Sequence, residues 1–155
     1  MLKKKLLLII LIITFQQSLL ADTVKVFDFT ESEFKTLKVK KVRGAKNKTK
    51  YKLGKNENGN FIRSEADYAA SGLGKEIELN LSKTPFLNIT WKVEKELSGI
   101  NENTKKGHDY AARVFVIKKT GVTPLSNKAM NYVYSSNNEI NTNQPSPYTK
   151  KSIDY

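Results

Sequence analysis

The chain has 155 residues, no cysteine and a single histidine, with 27 lysines and arginines against 15 aspartates and glutamates, a net charge of +12. The lack of cysteine excludes disulfide bonds, thiolate catalysis and cysteine-ligated metals, and one histidine leaves too few ligands for a zinc site. The positive balance permits binding to an anionic polymer or lipid, and it also keeps a protein soluble.

The first 21 residues have the layout of a secretory signal peptide. Three lysines at residues 3–5 precede an uninterrupted apolar run over residues 6–13, and a polar stretch then leads to Ala21. The run is shorter than the roughly 20 apolar residues that a membrane span needs. We therefore predict cleavage after Ala21, a periplasmic or secreted location, and no stable membrane span in the mature protein.

Short strands are predicted along the first half of the remaining chain, because apolar and polar residues alternate there with a period of two. Residues 24–29 have this alternation, and residues 30–33 follow with the Thr-x-x-Glu spacing of a helix cap. The Asn58-Gly59 pair lies between two strand-like segments and predicts a β-hairpin. Residues 76–81 alternate cleanly and predict a half-buried strand.

Three further strands are predicted in the second half of the chain. Residues 87–93 alternate with Trp91 as their core-facing anchor, and residues 129–135 alternate with tyrosines on one face. Residues 107–117 run from a polar turn into an apolar segment, which predicts a central strand buried on both faces. Apolar residues then nearly vanish, which predicts a polar, disordered tail over residues 137–155.

This pattern of elements favours an all-β fold. The strands are short, turns separate them, helix is scarce and no internal repeat is present, which is typical of an antiparallel β-sandwich of the jelly-roll or carbohydrate-binding-module type. We expect one domain over residues 22–136. Because the apolar pattern stops before the tail, we also expect the sandwich to be incomplete at its C-terminus.

Arg113 is the best single pointer to a site, because a guanidinium inside a sheet needs carboxylate or carbonyl partners. One interpretation is a buried ion pair with Glu65, Asp67 or Glu78 that fixes the strand register. The other is a ligand-reading arm on a concave face of the sheet. In an extended strand, Asp109 lies about 13 Å from Arg113 at roughly 3.3 Å per residue. We therefore expect these two to flank a ligand rather than to pair.

A basic segment and four aromatic residues are each open to two interpretations. Eight lysines and arginines lie within residues 38–52, which fits an exposed, solvated loop or a patch that binds a polyanion. The rings of Trp91, Tyr110, Tyr132 and Tyr134 fit core packing or sugar platforms. A serine hydrolase is not expected, since no Gly-x-Ser-x-Gly elbow accompanies the single histidine.

Four motifs follow one another within residues 60–136: AASGL at 69–73, KTPFL at 83–87 leading to WKV at 91–93, KKGHDYAARVFV at 105–116, and AMNYVYSS at 129–136. In these motifs the chain resembles the bacterial family called domain of unknown function 3047. The resemblance implies an exported protein with a carbohydrate-binding-type sandwich, in a family without an agreed activity.

Three departures from the family pattern bear on the site. His108 stands where the family usually has an acidic residue, and Tyr134 stands where it usually has tryptophan. These changes weaken the expectation of an all-carboxylate cation site and of a tryptophan sugar platform. The family pattern also continues beyond Tyr155 with further strands and a carboxylate-rich segment, so we expect a C-terminally truncated member.

The favoured function is a non-enzymatic cell-envelope module that binds a glycan or another polar polymer. One alternative is a jelly-roll carbohydrate-active enzyme with a carboxylate pair drawn from Glu65, Asp67, Glu78 and Asp109. Another is a polyanion-binding protein. No cofactor, metal or nucleic-acid partner is expected, and the oligomeric state is left open. The candidate ligand-binding residues are Arg113, Asp109 and His108 as polar groups, and Tyr132, Tyr134 and Trp91 as ring platforms.

We expect the exported protein to begin at Asp22, because Ala21 is the small residue that follows the apolar run, although Leu19 occupies another position where a small residue is preferred. N-terminal sequencing of protein recovered from the cell envelope measures this. Retention of Met1 in a membrane-bound product would show instead that residues 6–15 act as an anchor.

Overall fold

The computed structural model describes residues 23–155, so the predicted signal peptide lies outside the described residues. The all-β class predicted from the sequence is confirmed, while the sandwich arrangement stays a prediction. The elements in chain order are α1 (Glu31–Thr36), β1 (Lys38–Lys41), β2 (Lys50–Asn56), β3 (Gly59–Glu65), β4 (Ser71–Gly74), β5 (Ala112–Lys118), a 3-10 turn (Pro124–Ser126), β6 (Lys128–Tyr134), β7 (Gln144–Ser146) and β8 (Thr149–Asp154).

The chain divides into two compact units, one ending at Asn88 and the other spanning Ile89–Tyr155. In the first unit, β1 pairs antiparallel with β4, and β2 pairs antiparallel with β3. In the second unit, four strands form one sheet in the order β5-β6-β8-β7. The β6–β8 pair is parallel and the other two pairs are antiparallel.

The helix cap predicted at residues 30–33 is confirmed. The Thr30 side chain accepts a hydrogen bond from the Glu33 backbone N–H at 3.2 Å. In return, the Glu33 carboxylate accepts from the backbone N–H groups of Asp28 and Phe29, both at 2.8 Å. These bonds satisfy free donors at the start of α1, as in a capping box.

The hairpin predicted from Asn58-Gly59 is also confirmed. Asn56 pairs with Gly59 across a two-residue turn, and Gly59 adopts a φ of +114°, which a residue with a side chain rarely adopts. The Tyr51 hydroxyl on β2 donates to the carbonyl of Ser71 on β4 at 2.7 Å. This bond ties the hairpin to the β1–β4 pair within the first unit.

Three predicted strands are wrong: residues 24–29, 76–81 and 87–93 form no strand. In the first of them, Phe29 has a φ of +48° and its N–H bonds to the helix cap instead of to a neighbouring strand. Alternation detects an amphipathic extended segment, but a strand also needs a partner for its backbone groups. Trp91 is 38% exposed, so its prediction as a core anchor is wrong as well.

The strand that carries Arg113 is not central. β5 lies at the edge of the four-stranded sheet, and Phe115 and Ile117 are more than half exposed. The prediction of a strand buried on both faces is therefore wrong, because the apolar run occurs on an edge strand with one neighbour. β6 occupies the interior position between β5 and β8, which confirms the strand predicted at residues 129–135.

The prediction of a disordered tail over residues 137–155 is wrong, because β7 and β8 both lie in this segment. β8 continues the sheet beside β6, and the backbone of Tyr155 still exchanges hydrogen bonds with Asn131 and Val133. Main-chain pairing and the buried side chain of Asp154 hold this strand. Neither main-chain pairing nor a buried aspartate produces an apolar pattern in the sequence, so the sequence did not predict this strand.

Candidate functional site

Asp154 is the centre of a buried polar cluster in the second unit. His108 Nε2 donates to its Oδ2 at 2.6 Å, and Asn131 Nδ2 donates to its Oδ1 at 2.6 Å. The side chains of His108 and Asp154 are only 6% and 1% exposed. The cluster forms because Asn131 and Asp154 are paired residues on adjacent parallel strands and so point to the same face.

A tight turn before β5 positions His108 in this cluster. Gly107 is buried, and a Cβ atom on it would lie 2.3 Å from the carbonyl oxygen of Asn101, so only glycine fits. Its N–H bonds to the Thr104 carbonyl, and the Asp109 N–H bonds to the Gly107 carbonyl at 2.7 Å. The His108 ring then lies edge-on to Tyr110 and Tyr148, with centroids 5.3 and 5.5 Å away.

Arg113 closes the same turn from β5. Its Nη2 donates to the His108 carbonyl at 2.8 Å and lies 3.7 Å from Asp109 Oδ1. The guanidinium carbon stands 4.6 Å from the centroid of the Tyr110 ring, at cation–π range. The predicted separation of Asp109 and Arg113 is wrong, because β5 begins only at Ala112 and the chain before it is not extended.

Tyr110 is the one hydrophobic residue in the described part of the chain that is buried, at 6% exposure. No described residue completes a hydrogen bond of normal geometry with its hydroxyl. Burial raises the pKa of this hydroxyl, and the negative charge of Asp154 raises it further, while the Gln144 side chain and Arg113 oppose the rise. Tyr110 therefore keeps its proton as a neutral hydroxyl that can donate to a water or a small polar group.

A second buried carboxylate, Glu102, has a structural role. It accepts hydrogen bonds from the Ser135 hydroxyl, from the Ser136 backbone N–H at 3.0 Å and from Asn138 Nδ2 at 3.3 Å. Three donors leave little acceptor capacity for a ligand. Glu102 thus connects the loop before His108 to the chain that follows β6.

The opposite face of the sheet carries aromatic rings. Alternation along β6 points Tyr132 and Tyr134 away from the face of Asn131. The rings of Trp91 and Tyr134 meet edge to face with centroids 6.3 Å apart, and those of Tyr132 and Tyr155 lie 5.9 Å apart. We call these four residues the aromatic face.

A carboxylate stands beside the aromatic face. The Tyr134 hydroxyl donates to Glu96 Oε1 at 2.9 Å. This hydrogen bond raises the pKa of Tyr134, and the negative charge of Glu96 and slight burial add to the effect. Glu96 is exposed, so its second oxygen can still accept hydrogen bonds from a ligand.

The structure places the six predicted site residues in two groups. His108, Asp109 and Arg113 come together around the buried cluster, whereas Trp91, Tyr132 and Tyr134 belong to the aromatic face. The sequence did not indicate Glu96, Glu102, Asn131 or Asp154, since each of them looks like an ordinary surface residue in a polar segment. Their roles depend on strand pairing, which periodicity does not specify.

The carboxylates considered for an enzymatic pair have no specialised environment. Glu65, Asp67, Glu78 and Asp109 are all exposed. Glu65 pairs with Arg63 at 3.2 Å and Lys52 at 3.9 Å. A general acid needs a raised pKa, which burial supplies in known carboxylate pairs. Within residues 23–155, no group of three histidines or acidic residues is placed to hold a metal ion, and no helix is long and apolar enough to cross a membrane.

Comparison with known families gives one match. The family described as "Protein of unknown function (DUF3047)" matches residues 35–155, which confirms the resemblance seen in the sequence motifs. No curated protein and no solved structure matches the chain. The matched range includes both the buried cluster and the aromatic face.

We expect Asp154→Ala to lower the free energy of unfolding by about 3 kcal/mol, since two buried donors, on His108 and Asn131, would each lose a partner at roughly 1–3 kcal/mol. Urea denaturation measures this loss, and limited proteolysis should show faster cleavage within residues 144–155. Asp67→Ala is the matched control, because Asp67 is exposed. Equal free energies of unfolding for the two variants would show that the Asp154 side chain does not stabilise the protein.

Arg113→Met should destabilise the protein by about 1–2 kcal/mol, because the His108 carbonyl loses a charged donor and Tyr110 loses a cation. The loss stays moderate since the partner carboxylate of Asp109 is 71% exposed. A double-mutant cycle with Asp109→Asn should give a coupling energy of about 0.2–1 kcal/mol, as for exposed ion pairs. A coupling several times larger would mean that this pair is shielded from water.

Proposed function

Since the chain belongs to the DUF3047 family of proteins of unknown function, its role has to be argued from its own residues, and we propose a non-enzymatic cell-envelope module that binds a glycan or another polar polymer. The observation that carries this proposal is the aromatic face. It combines a partly exposed indole ring, Trp91, with a tyrosine hydroxyl held by a carboxylate, Tyr134 with Glu96.

Such a set of groups suits a sugar. Aromatic rings present a large, rigid apolar surface, which can cover the C–H face of a sugar ring at low entropic cost. An ionised carboxylate accepts hydrogen bonds from hydroxyl groups, and those bonds are stronger than bonds between neutral groups. Trp91 supplies the ring and Glu96 supplies the acceptor within the same part of the second unit.

The aromatic face also suits an extended ligand. Tyr132 lies two residues before Tyr134 on the same side of β6, and Tyr155, just beyond β8, places its ring 5.9 Å from that of Tyr132. Tyr155 is 42% exposed, while its backbone is fixed by hydrogen bonds to β6. Rings held in a row by a sheet match consecutive units of a polymer better than a single small molecule.

Export and an envelope location belong to the same proposal. They are supported by the signal-peptide layout of residues 1–21. The enzymatic alternative has less support, because its four candidate carboxylates are exposed and lack the burial that would raise a pKa. Arg113, Asp109 and His108, first considered as ligand readers, contribute to the proposal by bracing the sheet behind the aromatic face.

The mature protein should be retarded in native gels that contain a soluble glucan, or retained by insoluble peptidoglycan. We expect Trp91→Ala to weaken this binding by about tenfold, equivalent to about 1.4 kcal/mol, and Glu96→Gln to weaken it by a smaller factor. Phe86→Ala is the matched control, since Phe86 is an exposed ring in the first unit.

Circular dichroism verifies that each variant is folded. The proposal fails if folded Trp91→Ala binds as tightly as the wild type, or if the wild type binds none of the polymers.

A further inference from the structure

Positive charge in this protein is concentrated in one segment. Residues 34–56 contain ten of the 27 lysines and arginines and none of the 15 acidic residues. The eight cationic side chains between residues 38 and 52 are all exposed. One of them, Lys52, has an acidic neighbour, Glu65, at 3.9 Å. The segment therefore presents a nearly uncompensated positive potential to solvent.

Backbone pairing holds this segment in place. β1 pairs with β4 from Lys38 to Lys41, and Lys38 and Lys40 stand opposite Gly74 and Gly72, which have no side chains to cover them. Beyond β1, the N–H of Val42 bonds to Ala70, and the backbone of Asn47 bonds to both Tyr68 and Ala70. The basic segment is therefore held by backbone hydrogen bonds at β1, Val42 and Asn47, while residues 42–49 between β1 and β2 form an exposed loop.

Two exposed apolar side chains lie among these charges. Tyr68 is 80% exposed, and Val42 is 51% exposed. Tyr68 also has a φ of +44°, and Lys46 Nζ lies 5.4 Å from its ring centroid. We call Lys38, Lys40, Arg43, Lys46, Val42 and Tyr68 the basic platform.

We propose that the basic platform is a docking site for a membrane surface that contains anionic lipid. Lysines near such a surface each contribute about a factor of five in affinity, or about 1 kcal/mol, without specific geometry. Tyrosine rings favour the headgroup region, where one end is apolar and the other wet. A soluble polyanion would gain little from contact with Val42, whereas a lipid interface can bury an apolar side chain that lies beside the cations.

The composition of the platform favours lipid over nucleic acid. Nine of the ten cations in residues 34–56 are lysines, which act as point charges, while planar bidentate recognition of phosphates favours arginine. Stacking of bases needs a series of aromatic platforms. Of the two tyrosines in this region, Tyr51 is partly buried and engaged with Ser71, which leaves only Tyr68.

The test is sedimentation of the mature protein with vesicles of phosphatidylcholine alone or with one quarter phosphatidylglycerol. We expect binding to the anionic vesicles only, with strong weakening between about 50 and 500 mM salt as screening shortens the Debye length. A quadruple variant, Lys38→Gln with Lys40→Gln, Arg43→Gln and Lys46→Gln, should bind several hundredfold more weakly, because four losses of about fivefold each multiply.

Matched variants identify the cause of this loss. A control with four exposed lysines changed to glutamine elsewhere, Lys83, Lys95, Lys118 and Lys128, has the same net charge and should retain vesicle binding. Val42→Ser with Tyr68→Ser should weaken vesicle binding by about tenfold and leave salt-dependent retention on a heparin column unchanged. Trp91→Ala should bind vesicles normally, which separates this site from the glycan proposal.

Three results would overturn the proposal. One is equal loss in both quadruple variants, which would mean that only net charge matters. A second is binding to heparin or single-stranded DNA without binding to anionic vesicles. The third is vesicle binding that is unaffected by the change of Val42 and Tyr68.

Discussion

The buried carboxylate of Asp154 is the interaction on which the second unit depends. An ionised group inside a protein is costly unless donors surround it, and here His108 and Asn131 supply them at 2.6 Å each. These three residues come from the turn before β5, from β6 and from β8. Among the described residues of this unit, Tyr110 is the only buried hydrophobic residue. Hydrogen bonds between buried polar groups therefore stabilise this unit, whereas apolar packing stabilises most domains.

This polar bracing lies on one side of β6, and the ligand-binding surface that we propose lies on the other. Side chains alternate along β6, so the residue that turns inward to Asp154, Asn131, alternates with Tyr132, which turns to the other side. The face of Asn131 holds the buried cluster around Asp154, while Phe115 and Ile117 on the same side of β5 are more than half exposed. The other face is left to rings that are only partly covered, such as Trp91.

Local signals predicted local structure. The cap at residues 30–33 and the Asn58-Gly59 hairpin form as expected because their donors, acceptors and turn conformations lie within a few positions of each other. The strands expected at 76–81 and 87–93 do not form, since alternation cannot specify a partner strand. β8 was missed for the complementary reason: its sequence is polar, and main-chain pairing with β6 and the burial of Asp154 hold it. The sequence predicted His108, Asp109 and Arg113 as site residues. It did not predict Asn131 and Asp154, because their positions depend on strand register.

The surfaces that we propose for the two units differ in the range of the forces on which binding would depend. The membrane docking proposed for the basic platform of the first unit depends on long-range charge, which salt screens within about 10 Å at 0.1 M. The polymer binding proposed for the aromatic face of the second unit depends on contact and a few hydrogen bonds, which salt hardly affects. Outside residues 34–56 the remaining cations and the acidic residues nearly balance, apart from the lysines at residues 3–5. The excess charge that gives the protein its net +12 therefore lies in a different part of the sequence from the groups that we propose to bind a polymer.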